Sequence, residues 1–188
     1  PLSAAAREAW LDASGRLVGN PSSPHRLGAR ADKALADARE ELAGLLGCGA
    51  LDIVWTSGAT ESSNLVMHHF AAALAAEAEV WVSAIEHPCV LETARLHFGE
   101  RLKTLPVTDG GVLDLNVLRE RLVKQRPGLI AVMAVNNETG VLQPWRVVRE
   151  LCAEHDIPFF CDAAQWIGKL PSAGLGKCDF VSGCAHKF

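Results

Sequence analysis

Apolar positions recur at helical spacing between Arg26 and Leu46. Leu27, Ala31, Leu35, Ala38, Leu42 and Leu45 share a stripe, and Gly47-Cys48-Gly49 ends the run. That pattern predicts an amphipathic helix with a glycine stop. From Asp52 the period changes: Asp52–Thr56 (DIVWT) is short, β-branched and aromatic, and Ser57-Gly58 breaks it before an Ala-rich helical stretch from Thr60 to Ala76. The alternation then repeats. Strands are expected at Glu79–Ser83, Arg101–Pro106, Gly128–Val135, Ile157–Cys161 and Asp179–Ser182, with helices at Cys89–Phe98, Leu115–Lys124 and Trp145–His155. Strands alternating with helices imply an α/β fold whose mostly parallel sheet carries helices on both faces. Pro1–His25 stands outside this pattern, and its Gly19-Asn20-Pro21-Ser22-Ser23-Pro24 is a loop of turn formers.

Composition narrows the classes. With 49% of 188 residues in the hydrophobic set, the chain has ample core material. Its 18 Lys and Arg face 22 Asp and Glu, a net charge of −4, so no basic surplus is available to grip a phosphate backbone and nucleic acid is not expected as a partner. The longest apolar runs, such as Leu129–Val135, fall far short of the ~20 residues that cross a bilayer, and Pro1–Trp10 does not read as a secretory signal. Six cysteines (Cys48, Cys89, Cys152, Cys161, Cys178 and Cys184) lie at irregular spacings without a CxxC pair and read as reduced thiols of a cytoplasmic protein. His68-His69 lacks metal-ligand spacing, and neither HExxH nor GxSxG occurs. Gly47-Cys48-Gly49 follows a helix and lacks a third glycine, which sets aside a dinucleotide fingerprint. A chain that opens on Pro1-Leu2 and stops at Ala185-His186-Lys187-Phe188, just past a strand, reads as a piece of a longer one.

In open α/β sheets ligands bind beyond the carboxyl ends of the strands, so the residues there are the candidates. Ser57-Gly58-Ala59-Thr60-Glu61-Ser62 joins a strand to a helix and offers free N–H groups and hydroxyls to a phosphate, although a helix-capping role for Thr60 is the commoner use of such a residue. His87, in Glu86-His87-Pro88, can stack on a flat ring or move protons near neutral pH, or be a plain turn residue. Asn136-Asn137-Glu138-Thr139-Gly140 places two amides at a strand end, where turn formers are also ordinary. Asp162 ends an apolar strand and asks for a cation; it could equally cap a short helix, with Gln165 on the same side if the segment turns helically. Lys187, reached through small residues after a buried strand, can be an amine nucleophile toward an aldehyde, although most lysines are simply solvated. Together a phosphate site, a stacking histidine, an orienting amide, a carboxylate for a ring nitrogen and a reactive amine match the needs of pyridoxal phosphate.

The strings NPSSPH (Asn20 to His25), TSGATESSN (Thr56 to Asn64), EHPCVLE (Glu86 to Glu92), VNNETGVLQP (Val135 to Pro144), DAAQWIGKLP (Asp162 to Pro171) and AHKF (Ala185 to Phe188) resemble, in order and spacing, the cysteine desulfurases of the NifS/IscS type. These belong to the class V aminotransferase group of fold type I enzymes. The resemblance implies an N-terminal segment, residues 1–15, belonging to the family's small domain, and a large cofactor-binding domain, residues 16–188, cut just after the lysine. By the same resemblance Lys187 is the Schiff-base lysine, His87 the ring-stacking and proton-transferring histidine, and Asp162 the partner of the ring nitrogen. Gln165 matches the contact to the phenolic oxygen, Asn137 a contact to cofactor and substrate, and Ala59, Thr60 and His186 the phosphate contacts. Cys184 stands where the family usually has a phosphate-binding serine, and a thiol is the weaker donor.

The implied reaction takes sulfur from L-cysteine, leaves L-alanine and passes the sulfur through an enzyme persulfide toward iron-sulfur assembly or thio-modification. Implied partners are a sulfur acceptor or scaffold protein and a second copy of the chain. The persulfide cysteine and the substrate-carboxylate arginine of the family lie beyond Phe188, and none of the six cysteines present takes the former role. The alternatives are another class V enzyme, a selenocysteine lyase or aminotransferase, and a catalytically silent chain acting as an interaction module.

Overall fold

The computed structural model describes residues 3–187. These form two compact units. The first holds the chain up to Trp55 together with Ser172–Lys177 and the segment from His186; the second holds Thr56–Pro171 and Cys178–Ala185.

In the first unit, helix α1 (Ala4–Arg16) begins at Ser3, whose hydroxyl accepts the Ala6 N–H. It buries none of its residues, which explains why no apolar stripe marked it in the sequence. Helix α2 (Arg26–Leu46) matches its expected bounds. Its first turn is capped by His25, whose Nδ1 accepts the Gly28 N–H at 3.1 Å. It ends at Gly47, whose φ of 78° is the left-handed conformation that glycine adopts without a Cβ penalty.

The turn-rich loop before α2 packs tightly onto the helix. A Cβ at Gly28 would lie 2.1 Å from the Ser23 carbonyl oxygen and 2.7 Å from that of Asn20. Gly28→Ala should therefore destabilise the fold by about 1–3 kcal/mol through overpacking, lowering the thermal midpoint of the whole protein by several degrees. An unchanged melt would show that this loop is free to move aside.

One expected strand is absent. Asp52–Thr56 opens instead as the end of a 3-10 turn (Ala50–Asp52), closed by Asp52, whose carboxylate accepts the Gly49 N–H at 2.8 Å. Ile53–Thr56 has no strand assignment. The Ile53 carbonyl accepts from Arg39 Nε of α2, and the Arg39 guanidinium lies over the Trp55 ring at 5.8 Å. The run's β-propensity finds no neighbouring strand among the described residues, and Leu51, Val54 and Trp55 remain exposed.

The second unit is the sheet with its helices. Helix α3 (Ala59–Ala73) precedes strand β1 (Val80–Ser83), helix α4 (Pro88–Phe98), strand β2 (Leu102–Leu105), helix α5 (Leu115–Lys124), strand β3 (Leu129–Ala131), helix α6 (Trp145–Glu154), strand β4 (Phe159–Asp162) and strand β5 (Phe180–Ser182). The five strands are parallel in the order β2-β1-β3-β4-β5. On one face Val80, Val82, Leu129, Ala131 and Phe160 pack with Met67 and Phe70 of α3 and Val90, Ala94 and Phe98 of α4. The alternate residues Trp81, Ile130, Phe159 and Cys161 are buried as well, which requires cover on the other face, where α6 packs at β4.

Strand β3 is shorter than the apolar run Gly128–Val135. Beyond Ala131 the ladder to β4 continues, with Val132 N–H on the Phe160 carbonyl and Ala134 N–H on the Asp162 carbonyl. On the β1 side the chain has turned away after Ser83, and the Met133 N–H is taken by the Glu86 carboxyl. Val135 then pairs antiparallel with Leu142 across the Asn136–Val141 turn. Among the described residues no helix is long and apolar enough to cross a membrane.

Candidate functional site

Parallel strands share one carboxyl edge, so the segments after β1, β3, β4 and β5 emerge on the same side of the sheet. The segment after β4 is the most constrained. Asp162 is 5% exposed, and its Oδ1 accepts the Ala164 N–H at 3.0 Å and the Ser182 hydroxyl at 3.1 Å. Ser182 is the last residue of β5 and is itself buried, so β4 and β5 together fix the carboxylate. Gln165 lies half-buried in the turn that follows, where its Oε1 accepts from Lys169 Nζ at 2.8 Å. The segment after Asp162 is a turn rather than a regular helix. A buried anion with one oxygen so anchored suits a cationic ring nitrogen.

The start of α3 has no side-chain cap. Its N-cap is Gly58, so Thr60 does not cap the helix. The neighbouring hydroxyls bond among themselves: Thr56 Oγ1 meets Ser62 Oγ at 2.8 Å, and Ser57 donates through both N–H and Oγ to Glu61 Oε2. Those two Ser57 bonds hold the Glu61 carboxyl below its ordinary range. The uncapped first-turn N–H groups can hold a phosphate. Ala59, buried at this start, packs with Ala164 and with Cys184, so three of the expected segments meet here.

His87 ends the turn after β1 and caps α4, its Nδ1 accepting the Cys89 N–H at 3.2 Å. Pro88 holds the first helical position. Because Nδ1 accepts, a neutral imidazole here carries its proton on Nε2. Asn137, half-buried, donates to Glu138 Oε1, while Asn136 is buried and organises the turn, its Oδ1 accepting from Glu138 N–H, Thr139 N–H and Thr139 Oγ1. His186 and Lys187 follow Cys184 in a 3-10 turn, Ala185–Lys187, with His186 exposed and Lys187 half-buried.

None of the six cysteines is in a disulfide. Burial pushes Cys48 and Cys89 up, Cys152 up to about 12, and Cys161 well above the ordinary thiol value. These four are therefore poor nucleophiles near neutral pH.

Three residues have roles in the structure that local spacing does not show. Glu86 stands in the sequence as part of the histidine motif, yet it is 6% exposed and ties the segment after β1 to the segment after β3. The test applied to Asp162, a carboxylate closing an apolar strand, flags it equally. Asn136, the less emphasised of two amides, proved the buried one, and Ser182 holds Asp162.

At its carboxyl edge the parallel sheet thus brings together an anchored carboxylate and an uncapped helix start, at the place where open α/β sheets bind ligands. The Aminotransferase class-V family matches residues 5–188, and the chain belongs to that family. It is 37% identical over 194 residues to "Cysteine desulfurase IscS" of Rickettsia bellii, covering 100% of this chain and 47% of that protein. It is 41% identical over 161 residues to "Cysteine desulfurase, mitochondrial" of Arabidopsis thaliana, covering 81% of this chain and 34% of that one. The chain thus spans about half, or less, of the curated relatives it matches. Among solved structures, one titled "SspA in complex with cysteine" superposes with a TM-score of 0.89 at 33% identity, over 100% of this chain and 55% of that chain. The fold is that of the NifS-like proteins.

Proposed function

We propose that the whole protein is a pyridoxal phosphate-dependent cysteine desulfurase, releasing L-alanine from L-cysteine and passing the sulfur on. The observation that carries this reading is the anchored Asp162 carboxylate at the same sheet edge as the uncapped start of α3. Similarity to cysteine desulfurases, and to a protein solved with cysteine, supports the substrate.

Pyridoxal phosphate, when bound, supplies an electron-accepting ring. The N–H groups at the start of α3, with Ala59, Thr60, Cys184 and His186, would hold its phosphate, and Asp162 would keep a proton on its ring nitrogen. Gln165 and Asn137 would fix its orientation through their amides. Lys187 would carry the cofactor on its Nζ and move protons to and from the substrate, and His87 would donate from Nε2 while α4 holds its Nδ1. The sulfur would leave to a thiol outside these residues, for which an acceptor or scaffold protein and a second protomer are the proposed partners.

The test is product analysis of the whole protein loaded with pyridoxal phosphate. L-Cysteine should give L-alanine and, with a reductant, sulfide. Turnover restricted to selenocysteine, or amino transfer to a keto acid, would assign another class V activity; no cofactor uptake would leave an interaction module.

Cys184 offers a smaller prediction. Cys184→Ser restores a stronger donor at the phosphate, and a hydrogen bond worth about 1 kcal/mol should tighten cofactor binding about fivefold in an absorbance titration. Unchanged or weaker affinity would place the thiol outside the phosphate contacts.

A further inference from the structure

Resting on the cofactor site proposed above, we infer that Glu86 and Asn136 are its positioning residues, a reciprocal clamp that fixes His87 against Asn137. Each stands immediately before a candidate contact in the chain, and each reaches across to the other's segment. Glu86 Oε1 accepts the Met133 N–H at 2.6 Å, in the segment that leads to Asn137. Asn136 Nδ2 donates to the Ile85 carbonyl at 3.0 Å, in the segment that leads to His87. Both side chains are buried, and Asn136 also gathers three donors of its own turn. Backbone hydrogen bonds between β1 and β3 have ceased here, so these side chains replace the ladder where the sheet opens toward the site.

The protonation state of Glu86 follows from its surroundings. Its Oε2 is buried with no partner among the described residues, a position that penalises an ionised carboxylate. The titratable groups bearing on it are Asp162 and Cys161 of β4 and Cys89 of α4, with His87 next in the chain. Burial lifts its proton affinity well above the ordinary glutamate range; the Met133 N–H opposes this, and the Asp162 carboxylate adds to it. As a neutral acid Glu86 accepts from Met133 without placing a second negative charge beside Asp162. The clamp therefore needs the shape of a carboxyl group and not its charge.

Linkage gives the sign. The folded chain keeps a proton on Glu86 at pH values where the unfolded chain has lost it. This residue's effect on stability is thus most favourable below the ordinary glutamate range and worsens as pH rises through the window up to the higher folded value.

The experiment compares Glu86→Gln, Glu86→Ala and Asn136→Ala in the whole protein, reading pyridoxal phosphate affinity by absorbance and apo stability against pH. Glu86→Gln should keep cofactor affinity within about twofold and flatten the loss of apo stability above the glutamate range. Glu86→Ala and Asn136→Ala should each weaken affinity about tenfold or more, as expected for an orphaned buried donor or acceptor, and their double variant should fall short of the product of the two. Affinity as in the parent for Glu86→Ala, or Glu86→Gln as damaged as Glu86→Ala, would overturn the clamp. If the parent protein takes up no pyridoxal phosphate, the cofactor reading fails by itself. The apo profile of Glu86→Gln then decides the clamp, flattening in its favour and an unchanged pH slope against it.

Discussion

Replacing Lys187 with alanine should abolish turnover of L-cysteine by the whole protein, with a loss exceeding the about 10²–10⁴-fold typical of removing one acid-base group. The residue is asked both to hold the cofactor and to move protons, so neither task survives. Lys187→Arg separates this chemical role from a merely electrostatic one. Arginine keeps the positive charge, but its guanidinium stays protonated and cannot serve as the nucleophilic amine. Both variants should therefore be inactive and lack the visible absorption of lysine-bound pyridoxal phosphate. Activity retained by Lys187→Arg, measured as alanine released, would reduce Lys187 to a phosphate counter-charge.

The second large effect belongs to Asp162. Asp162→Asn keeps an acceptor for the Ala164 N–H and the Ser182 hydroxyl and removes only the charge. Losing one partner of a buried ion pair costs about 3–5 kcal/mol, a factor of roughly hundreds to thousands, and should appear in cofactor affinity and in turnover. Stability should respond oppositely. Without cofactor, Asp162→Asn removes the cost of a charge that is only 5% exposed, so the variant should melt no lower than the parent in the apo state. With saturating cofactor it should gain less, because stabilisation by a ligand scales with its affinity. Calorimetric melts with and without pyridoxal phosphate separate the two. Equal gains would contradict the assignment of Asp162 to the ring nitrogen.

Most of the sheet was legible because a parallel, doubly covered sheet writes its strands as near-continuous apolar runs between amphipathic helices. Strands β1 to β5 and helices α2 to α6 lie where the periodicity placed them, to within a few residues. The failures share a cause: pattern reports burial and propensity, not partners. Asp52–Thr56 carries strand chemistry, yet its Ile53 carbonyl bonds Arg39 and no strand lies beside it among the described residues. Helix α1 buries nothing, so it left no stripe to read. At Gly128–Val135 the apolar run outlasts the strand because Glu86 replaces the backbone as the partner of Met133.

The candidate site divides along the same line. Residues with telling chemistry, such as Asp162 and His87, could be picked out as strand-end functional groups, and the family resemblance gave them roles. Asn136, Glu86 and Ser182 act through bonds to residues 20 to 51 positions away, and no local spacing encodes such a contact. The cap at Thr60 was the reasonable local expectation. The structure places Gly58 at that position instead and leaves the helix start open.

The proposed function stands or falls on Lys187 as the residue that carries pyridoxal phosphate. The most direct test is to load the whole protein with pyridoxal phosphate, reduce with borohydride, digest, and locate the phosphopyridoxyl group by mass spectrometry. It should fall on Lys187, in the peptide containing Ala185-His186-Lys187-Phe188. Labelling at a different lysine under conditions that support turnover, or none in a protein that still converts L-cysteine to L-alanine, would contradict it.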